Sequence, residues 1–409
     1  MAAKPWLTTQ GLINAVKRKI SLPIEQATFS LADVISFLNE EMQISQVPSI
    51  MEFSEEYFVY KVRTPLVANV THYDIPDRAI GMKVRDIFIE DENGNMGETA
   101  RISPDDKAYW QSNAVNYTQN YMYYVEGNQI VFAPNSQTST GYIVFYIYLR
   151  PNQLVMDDRA AIAQNFVKKI TFGVNPSPGD TITINDVVYT AVASGAGLHE
   201  FNVGVSATAT AANFAASLVA PLSATSSGTT AQVSYSVGTY EFSSSNNDIE
   251  VSSETGINFD RLPSEWTDPD TLQTETLFEE GSVIDFLQTK PGHRIYEYDQ
   301  TISSIEGTTA FFSSIPEKFI VGDYICLANE CIIPQIPPDL HNGLAERAGA
   351  RILASIGDQQ GLQVSMAKIN EIDGRQGTLL NNRVTGGPMK ISGRHSMLRN
   401  GKKWFRRIF

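Results

Sequence analysis

The sequence predicts an α+β fold: a helical bundle drawn from the N- and C-terminal helices, an antiparallel β domain, an inserted mainly-β module and an extended C-terminal arm. Three observations predict it. Apolar residues recur at helical spacing at both ends of the 409-residue chain. Between those ends the apolar pattern alternates, punctuated by turn dipeptides. The charge is also uneven, because residues 171–260 hold no Lys or Arg and residues 383–409 hold no Asp or Glu.

The N-terminal part opens with two helices. Leu12, Ile13, Val16 and Ile20 share one helical face, and Pro23 is expected to close that segment. Ser30-x-x-Asp33 has the form of a capping box. Leu31, Val34, Ile35, Leu38 and Met42 then form an amphipathic stripe, which Pro48 is expected to end. From Tyr57 the period changes to two. Tyr57–Val62 and Lys83–Ile89 read as strands, with Asn93-Gly94 as a hairpin turn, and Ser103-Pro104-Asp105-Asp106 can start a short helix through Trp110. Tyr123–Val125 and Ile130–Phe132 flank Gly127-Asn128 as a second hairpin. Tyr142–Leu149 is apolar on both faces and is expected to be a central strand.

The next block differs in texture. Residues 171–260 contain 14 Ser and 11 Thr with 8 acidic side chains. Thr181–Ile184 and Val187–Thr190 read as a hairpin around Asn185-Asp186, Ala207–Leu218 as a short helix, and Ala231–Phe242 as further strand. The reading is a small ββαβ-type module; the alternative is a flexible Ser/Thr-rich loop, which is improbable at this length. Beyond it, Val283–Phe286 and Ala310–Phe312 are strand-like, and Tyr324–Ile333 reads as a hairpin around Ala328-Asn329. Pro337-Pro338 precede a helix carrying Leu340, Leu344, Ala348, Ile352 and Ile356, which Gly357 ends. A last helix carries Leu362, Met366, Ile369 and Ile372, and Gly374 and Gly377 weaken its continuation. The expected divisions are 1–56 (bundle), 57–164 (β domain), 165–258 (inserted module), 259–336 (β domain), 337–383 (bundle) and 384–409 (basic arm).

Composition narrows the function classes. A hydrophobic share of 42% supports a buried core. The net charge of -14 argues against a free-standing nucleic-acid binder, which needs surplus Lys and Arg. The longest apolar run, Tyr142–Leu149, is far short of the ~20 residues a membrane helix needs. Lys4-Pro5-Trp6 lacks the apolar stretch of a secretory signal, and two cysteines exclude a disulfide scaffold.

Motifs for chemistry are scarce. The five histidines show no i, i+3 or i, i+4 pairing. No nucleophile elbow, phosphate loop or dinucleotide fingerprint is complete. Asp91-x-Asn93-Gly94 faintly resembles a calcium loop but lacks the later Glu and is better read as a turn. Cys326 and Cys331 read as two buried thiols rather than a redox pair or a metal site. The acid pairs Glu55-Glu56, Asp105-Asp106 and Asp157-Asp158 read as solvated, and the tyrosines clustered from Tyr109 to Tyr148 as core or interface filler. No catalytic residue, cofactor or metal is expected. The sharpest local feature is the tail, where Arg394, Arg399, Lys402, Lys403, Arg406 and Arg407 are interleaved with Trp404, Phe405 and Phe409. That mixture suggests docking on an acidic partner or DNA phosphate.

Several stretches together resemble the head-to-tail adaptor (connector ring) proteins of tailed bacteriophages. Ser30–Glu41 and Glu55-Glu56-Tyr57-Phe58 are similar to the family's opening helices and first strand. Tyr73-Asp74-Ile75-Pro76-Asp77-Arg78-Ala79-Ile80-Gly81 is similar to its Y-x-I-P-x-R-A-I-G stretch, with Val84-Arg85-Asp86-Ile87 following. Leu149-Arg150-Pro151-Asn152-Gln153-Leu154-Val155 resembles its RPN-x-LV segment, and Phe319–Tyr324 and Ile336–His341 lead into the paired C-terminal helices. None of these motifs is catalytic, and the block from about 165 to 258 departs from the family pattern. The resemblance implies a homo-oligomeric, dodecameric ring in the virion neck, assembled in the host cytoplasm, below the portal protein and above tail or nozzle proteins. Double-stranded DNA would pass through its lumen without sequence-specific contact, and no membrane is involved. The arm (Arg394, Arg399, Lys402, Lys403, Trp404, Phe405, Arg406, Arg407 and Phe409) would dock on the portal. The alternative, prompted by the β-rich insert and the clustered tyrosines, is a tail-associated host-surface or carbohydrate-binding protein.

Overall fold

A computed structural model of the chain describes residues 7–20, 29–106, 121–133, 140–236, 240–262, 265–289 and 294–380. The chain divides into two compact units, one of residues 1–47 and 150–370, the other of residues 48–149 and 371–409.

The helices follow the apolar stripes. α1 (Thr9–Lys19) is capped by Thr8, whose hydroxyl accepts the Gly11 N–H, and buries Leu12, Ile13 and Val16 completely. Pro23 lies outside the described residues. α2 (Leu31–Glu41) has the expected capping box: Ser30 Oγ accepts the Asp33 N–H at 3.1 Å, and the Asp33 carboxylate accepts the Ser30 N–H at 3.0 Å. Pro48 does not end this helix. A π-turn over Met42–Gln46 passes directly into α3 (Val47–Phe53). Proline lacks an N–H and crowds the carbonyl four residues back, and the wider π-turn relieves that crowding.

α4 (Ala207–Ser217) is capped by Ser206. α5 (His341–Ile356) ends at Gly357, whose φ of 77° suits glycine at a helix C-terminus. α6 (Gln359–Leu380) runs through Gly374 and Gly377, contrary to the expected weakening. The reason at Gly377 is packing. A Cβ there would sit 3.2 Å from the Phe53 ring, and beside it Ser49 Oγ donates to Gln376 Oε1 at 2.8 Å, so glycine lets α3 and α6 approach closely. In the first unit α1 and α2 both pack on α5. Glu346 of α5, 2% exposed, is held by Lys19 Nζ at 2.5 Å and by Ser365 Oγ at 3.2 Å.

The second unit carries two sheets built from β1 (Val59–Pro65), β2 (His72–Asp74), β3 (Ala79–Glu90), β4 (Met96–Glu98), β5 (Ala100–Arg101), β6 (Met122–Glu126), β7 (Gln129–Ala133) and β8 (Tyr142–Leu149). The first sheet has the order β1-β8-β3-β4 and the second β2-β7-β6-β5. β8 is interior, pairing antiparallel with β1 on one side and β3 on the other, and from Ile143 to Leu149 its residues are buried except half-buried Tyr146. The Asn93-Gly94 and Gly127-Asn128 turns close the predicted hairpins, the latter with Glu126 opposite Gln129. Pro104–Asp106 forms a 3₁₀ turn, and the helix expected from it through Trp110 extends outside the described residues.

The first unit begins its strands with β9 (Gln153–Leu154) and β10 (Ala161–Phe172). β10 continues unbroken through the 164/165 division expected from the sequence. Then come β11 (Thr181–Ile184), β12 (Val187–Val192), β13 (Glu200–Asn202), β14 (Ser223–Ser227), β15 (Thr230–Tyr235), β16 (Phe242–Ser244), β17 (Ile249–Val251) and β18 (Thr255–Phe259). After the short pair β19 (Trp266–Thr267) and β20 (Thr274–Glu275) come β21 (Val283–Leu287), β22 (Ile295–Thr301), β23 (Ser304–Glu306), β24 (Thr309–Phe312), β25 (Tyr324–Leu327) and β26 (Glu330–Cys331).

The largest sheet runs β22-β21-β25-β10-β18-β24-β23, with β15 and β17 also paired to β10. Strands of the basic-free block and strands of its flank therefore share one sheet. Lys168 and Lys169 of β10 are both engaged there. Lys168 Nζ donates to the Glu254 carbonyl at 3.0 Å, and Lys169 Nζ binds Glu306 at 2.5 Å and lies 3.8 Å from the Phe311 ring centre. A smaller sheet, β13-β12-β11-β16, contains the predicted hairpin, with Asn185 and Asp186 at φ 49° and 67°. Phe172, Phe201 and Phe214 meet edge-on beneath α4 with ring centres 5.2 to 6.2 Å apart. The Ser/Thr-rich block thus has a packed aromatic core. The hairpin expected over Tyr324–Ile333 is not formed: β25 pairs with β21 and β10, whereas β26 pairs in parallel with β9.

Candidate functional site

The arm residues Arg394, Arg399, Lys402, Lys403, Trp404, Phe405, Arg406, Arg407 and Phe409 lie outside the described residues. Among the described residues, a cleft of about 470 Å³ in the first unit could take a partner. One wall is α2. Its stripe is divided: Val34, Leu38 and Met42 are buried, whereas Leu31 and Ile35 are only half-buried and line the cleft with Asn39, Glu40 and Gln43. The other wall is β9 with Val155 and Met156, and the segment Trp266–Asp270 closes one end.

Hydrogen bonds fix these walls. The Asn39 side chain donates to the Leu154 carbonyl at 3.0 Å and accepts the Leu154 N–H at 2.6 Å, standing where a neighbouring strand would otherwise pair. The Ala32 N–H, unpaired within α2 as a first-turn donor, is taken by Asp270 Oδ2 at 2.8 Å. Asp268 orders its own turn by accepting the Asp270 N–H at 2.8 Å, and that bond holds its carboxyl below the usual carboxylate range.

Arg159 forms the floor and is 9% exposed. Its Nη2 and Nε donate to the two oxygens of Glu330 at 2.7 and 3.1 Å, its Nη1 donates to Glu275, and its guanidinium lies 4.6 Å from the Trp266 ring centre. Burial disfavours the charged guanidinium, but the bonds to Glu330 and Glu275 outweigh it and the pKa is raised. The cation is thus already matched; Glu40 is paired with Arg351 Nη1 at 2.9 Å, and Asp268 and Asp270 leave one end of the rim acidic.

Behind the cleft lies a closed polar core. Asn152, from the RPN stretch, donates from Nδ2 to Asp285 Oδ2 at 2.6 Å and to the Glu330 carbonyl at 3.0 Å, and its own N–H goes to Gln335 at 2.8 Å. Asp285 also accepts the N–H groups of Asp299 and Asn329 at 3.0 and 3.2 Å. Cys326 and Cys331 are buried free thiols, and burial pushes both pKa values up, so neither is activated as a nucleophile. His341 is 1% exposed; its Nδ1 accepts the Leu7 N–H at 3.1 Å, and burial lowers its pKa to about 4.

Other marked residues have structural roles. Asp91 Oδ1 accepts the N–H groups of Asn93 and Asn95, ordering a hairpin turn. Two acid pairs are not merely solvated. Glu55 accepts the Tyr148 hydroxyl and Glu56 pairs with Arg85, while half-buried Asp157 accepts the Gln10 N–H in the first turn of α1 at 3.1 Å. Among the described residues no group of three His, Cys, Asp or Glu side chains is placed to hold a metal ion, and no helix is long and apolar enough to cross a membrane. What the cleft can do chemically is bind: it offers apolar surface and a rim acidic at one end. Sequence reasoning did not single out Arg159, Trp266, Asp268 or Asp270. The available signals were the Asp-Pro-Asp turn composition and a stripe on α2 wider than one helix contact covers.

The sequence profile of the SU10 adaptor protein family matches residues 7–218, slightly more than half of the chain. The chain belongs to the SU10 adaptor protein family. This is a family of phage adaptors, and the residues matched include α1, α2, the second unit's two sheets and β10 through α4. The match runs past residue 165, so it does not set the whole 165–258 block apart from the adaptor. No curated protein matches the chain.

Proposed function

We propose that this adaptor is a structural protein of the virion neck that forms a dodecameric ring between portal and tail, with double-stranded DNA passing through it. The observation that carries the reading is the family match over residues 7–218. Charge supports it. Outside the tail the chain is strongly acidic, and an acidic subunit repeated round a ring gives a lumen that repels phosphate, so DNA slides rather than sticks. In this reading the helices of 1–56 and 337–383 form the bundle, and the β segments 57–164 and 259–336 complete a split adaptor domain. The module at 165–258 is a guest that shares β10 and β18 with its host. The basic arm, 384–409, docks on the portal, and tail or nozzle proteins attach at the opposite pole.

Deleting residues 388–409 tests the arm. The truncated protein is expected to remain folded and soluble by circular dichroism and gel filtration, and to lose binding to purified portal rings in a pull-down. Portal binding at the full-length level would sink this role for the arm.

A further inference from the structure

We infer that the cleft between α2 and β9 receives the C-terminal segment 402–409 of a second copy of this chain. The inference rests on the proposed reading in one respect, that copies of the chain meet. Three features of the cleft define its occupant. Its walls carry apolar surface, with Leu31, Ile35 and Met156 half-buried rather than buried. Asp268 and Asp270 stand at its rim beside Glu40, which is paired with Arg351, while the one cation among the lining residues, Arg159, is already bound by Glu330 and Glu275. The backbone edge of β9 at Leu154 is occupied by Asn39, so an incoming chain cannot add as a strand and is recognised through its side chains.

An occupant must therefore present large apolar side chains flanked by cations and carry no acid. The segment Lys402-Lys403-Trp404-Phe405-Arg406-Arg407-Ile408-Phe409 has that composition: four cations, four apolar residues and no carboxylate side chain. A cleft of about 470 Å³ is within the size range of ligand pockets and suits one or two aromatic side chains. Trp404 and Phe405 supply the anchors, and the flanking cations meet the rim. Cleft docking and portal docking use the same arm, so one arm cannot do both at once.

The test uses the full chain with a photo-reactive benzophenone side chain placed at Ser36, which is exposed and faces the cleft. Unlabelled and heavy-isotope protein are mixed in equal amounts, irradiated, digested and read by mass spectrometry. Cross-links from position 36 to peptides of 402–409 are expected, with heavy–light pairs among them. Trp404→Ala combined with Phe405→Ala is expected to lower their yield about tenfold, as loss of a hot spot does. Raising the salt is expected to lower it further by screening the rim. Cross-links confined to one chain, cross-links to a different segment, or a yield indifferent to the arm variant would each overturn the inference. None of these outcomes bears on whether the arm binds the portal, which the deletion experiment decides separately.

Discussion

Asp285 and Arg159 are two ionisable side chains sunk in the same unit and held in different settings. Asp285, fully buried, accepts the Asn152 side chain and the N–H groups of Asp299 and Asn329. Two of those donors are backbone N–H groups of residues at positive φ, Asp299 at 55° in an irregularity of β22 and Asn329 at 69° in the turn between β25 and β26. Arg159 is instead clamped by two carboxylate side chains and lies under an open cleft. The first arrangement ties β21 to neighbouring segments and serves the fold. The second lies beside Asp268 and Asp270 at a surface where another chain can approach.

Three measurements can break or sharpen this contrast. The largest effect is expected from Asp285→Ala, which removes a fully buried carboxylate that accepts the Asn152 side chain and the N–H groups of Asp299 and Asn329. A loss of about 4 kcal/mol is expected in denaturant unfolding, and a loss below about 1 kcal/mol would show that these bonds do not serve the fold.

The next tests whether the interior excludes protons. His341 has a folded pKa of about 4 against an ordinary 6.5, so the unfolded chain takes up the proton first as pH falls. Its neutral form contributes stability that is full above pH 6.5 and is lost as pH falls toward 4, in all about 3 kcal/mol. The difference between the unfolding curves of the native chain and His341→Asn isolates this slope from that of the carboxylates, and equal pH slopes in the two would refute the assignment.

The smallest effect is expected from Arg159→Met. It unpairs Glu330, but Glu275 is half-exposed and can be rehydrated, so about 2 kcal/mol is expected. A loss equal to that of Asp285→Ala would erase the distinction between the two centres.

Much of the fold was legible because its signals are local. The capping box at Ser30 and Asp33, the turn at Asn185-Asp186 and the doubly apolar β8 each follow from a few neighbouring residues. The errors arose where a distant contact overrode a local preference. Gly377 does not weaken α6, because Phe53 needs the space that a side chain would fill. Pro48 does not stop its helix, because a π-turn precedes it. β26 leaves β25 to pair with β9, a strand more than a hundred residues earlier. The cleft was hidden for the same reason. Leu31 and Val34 belong to one stripe in the sequence, and only the fold decides that Val34 is covered and Leu31 is not. Arg159 meets partners 116 and 171 residues away, which no spacing rule links.

β10 has a practical consequence for anyone who digests or labels this protein. Lys168 and Lys169 are engaged within its sheet, and the next basic residue in the sequence is Arg261. Trypsin therefore finds no site across the intervening strands, and the whole block leaves a complete digest as one long peptide. Amine-reactive cross-linkers are equally blind to it. A contact made by that block registers only with reagents that attack carboxylates or hydroxyls, so an empty lysine map around it carries no information about its neighbours.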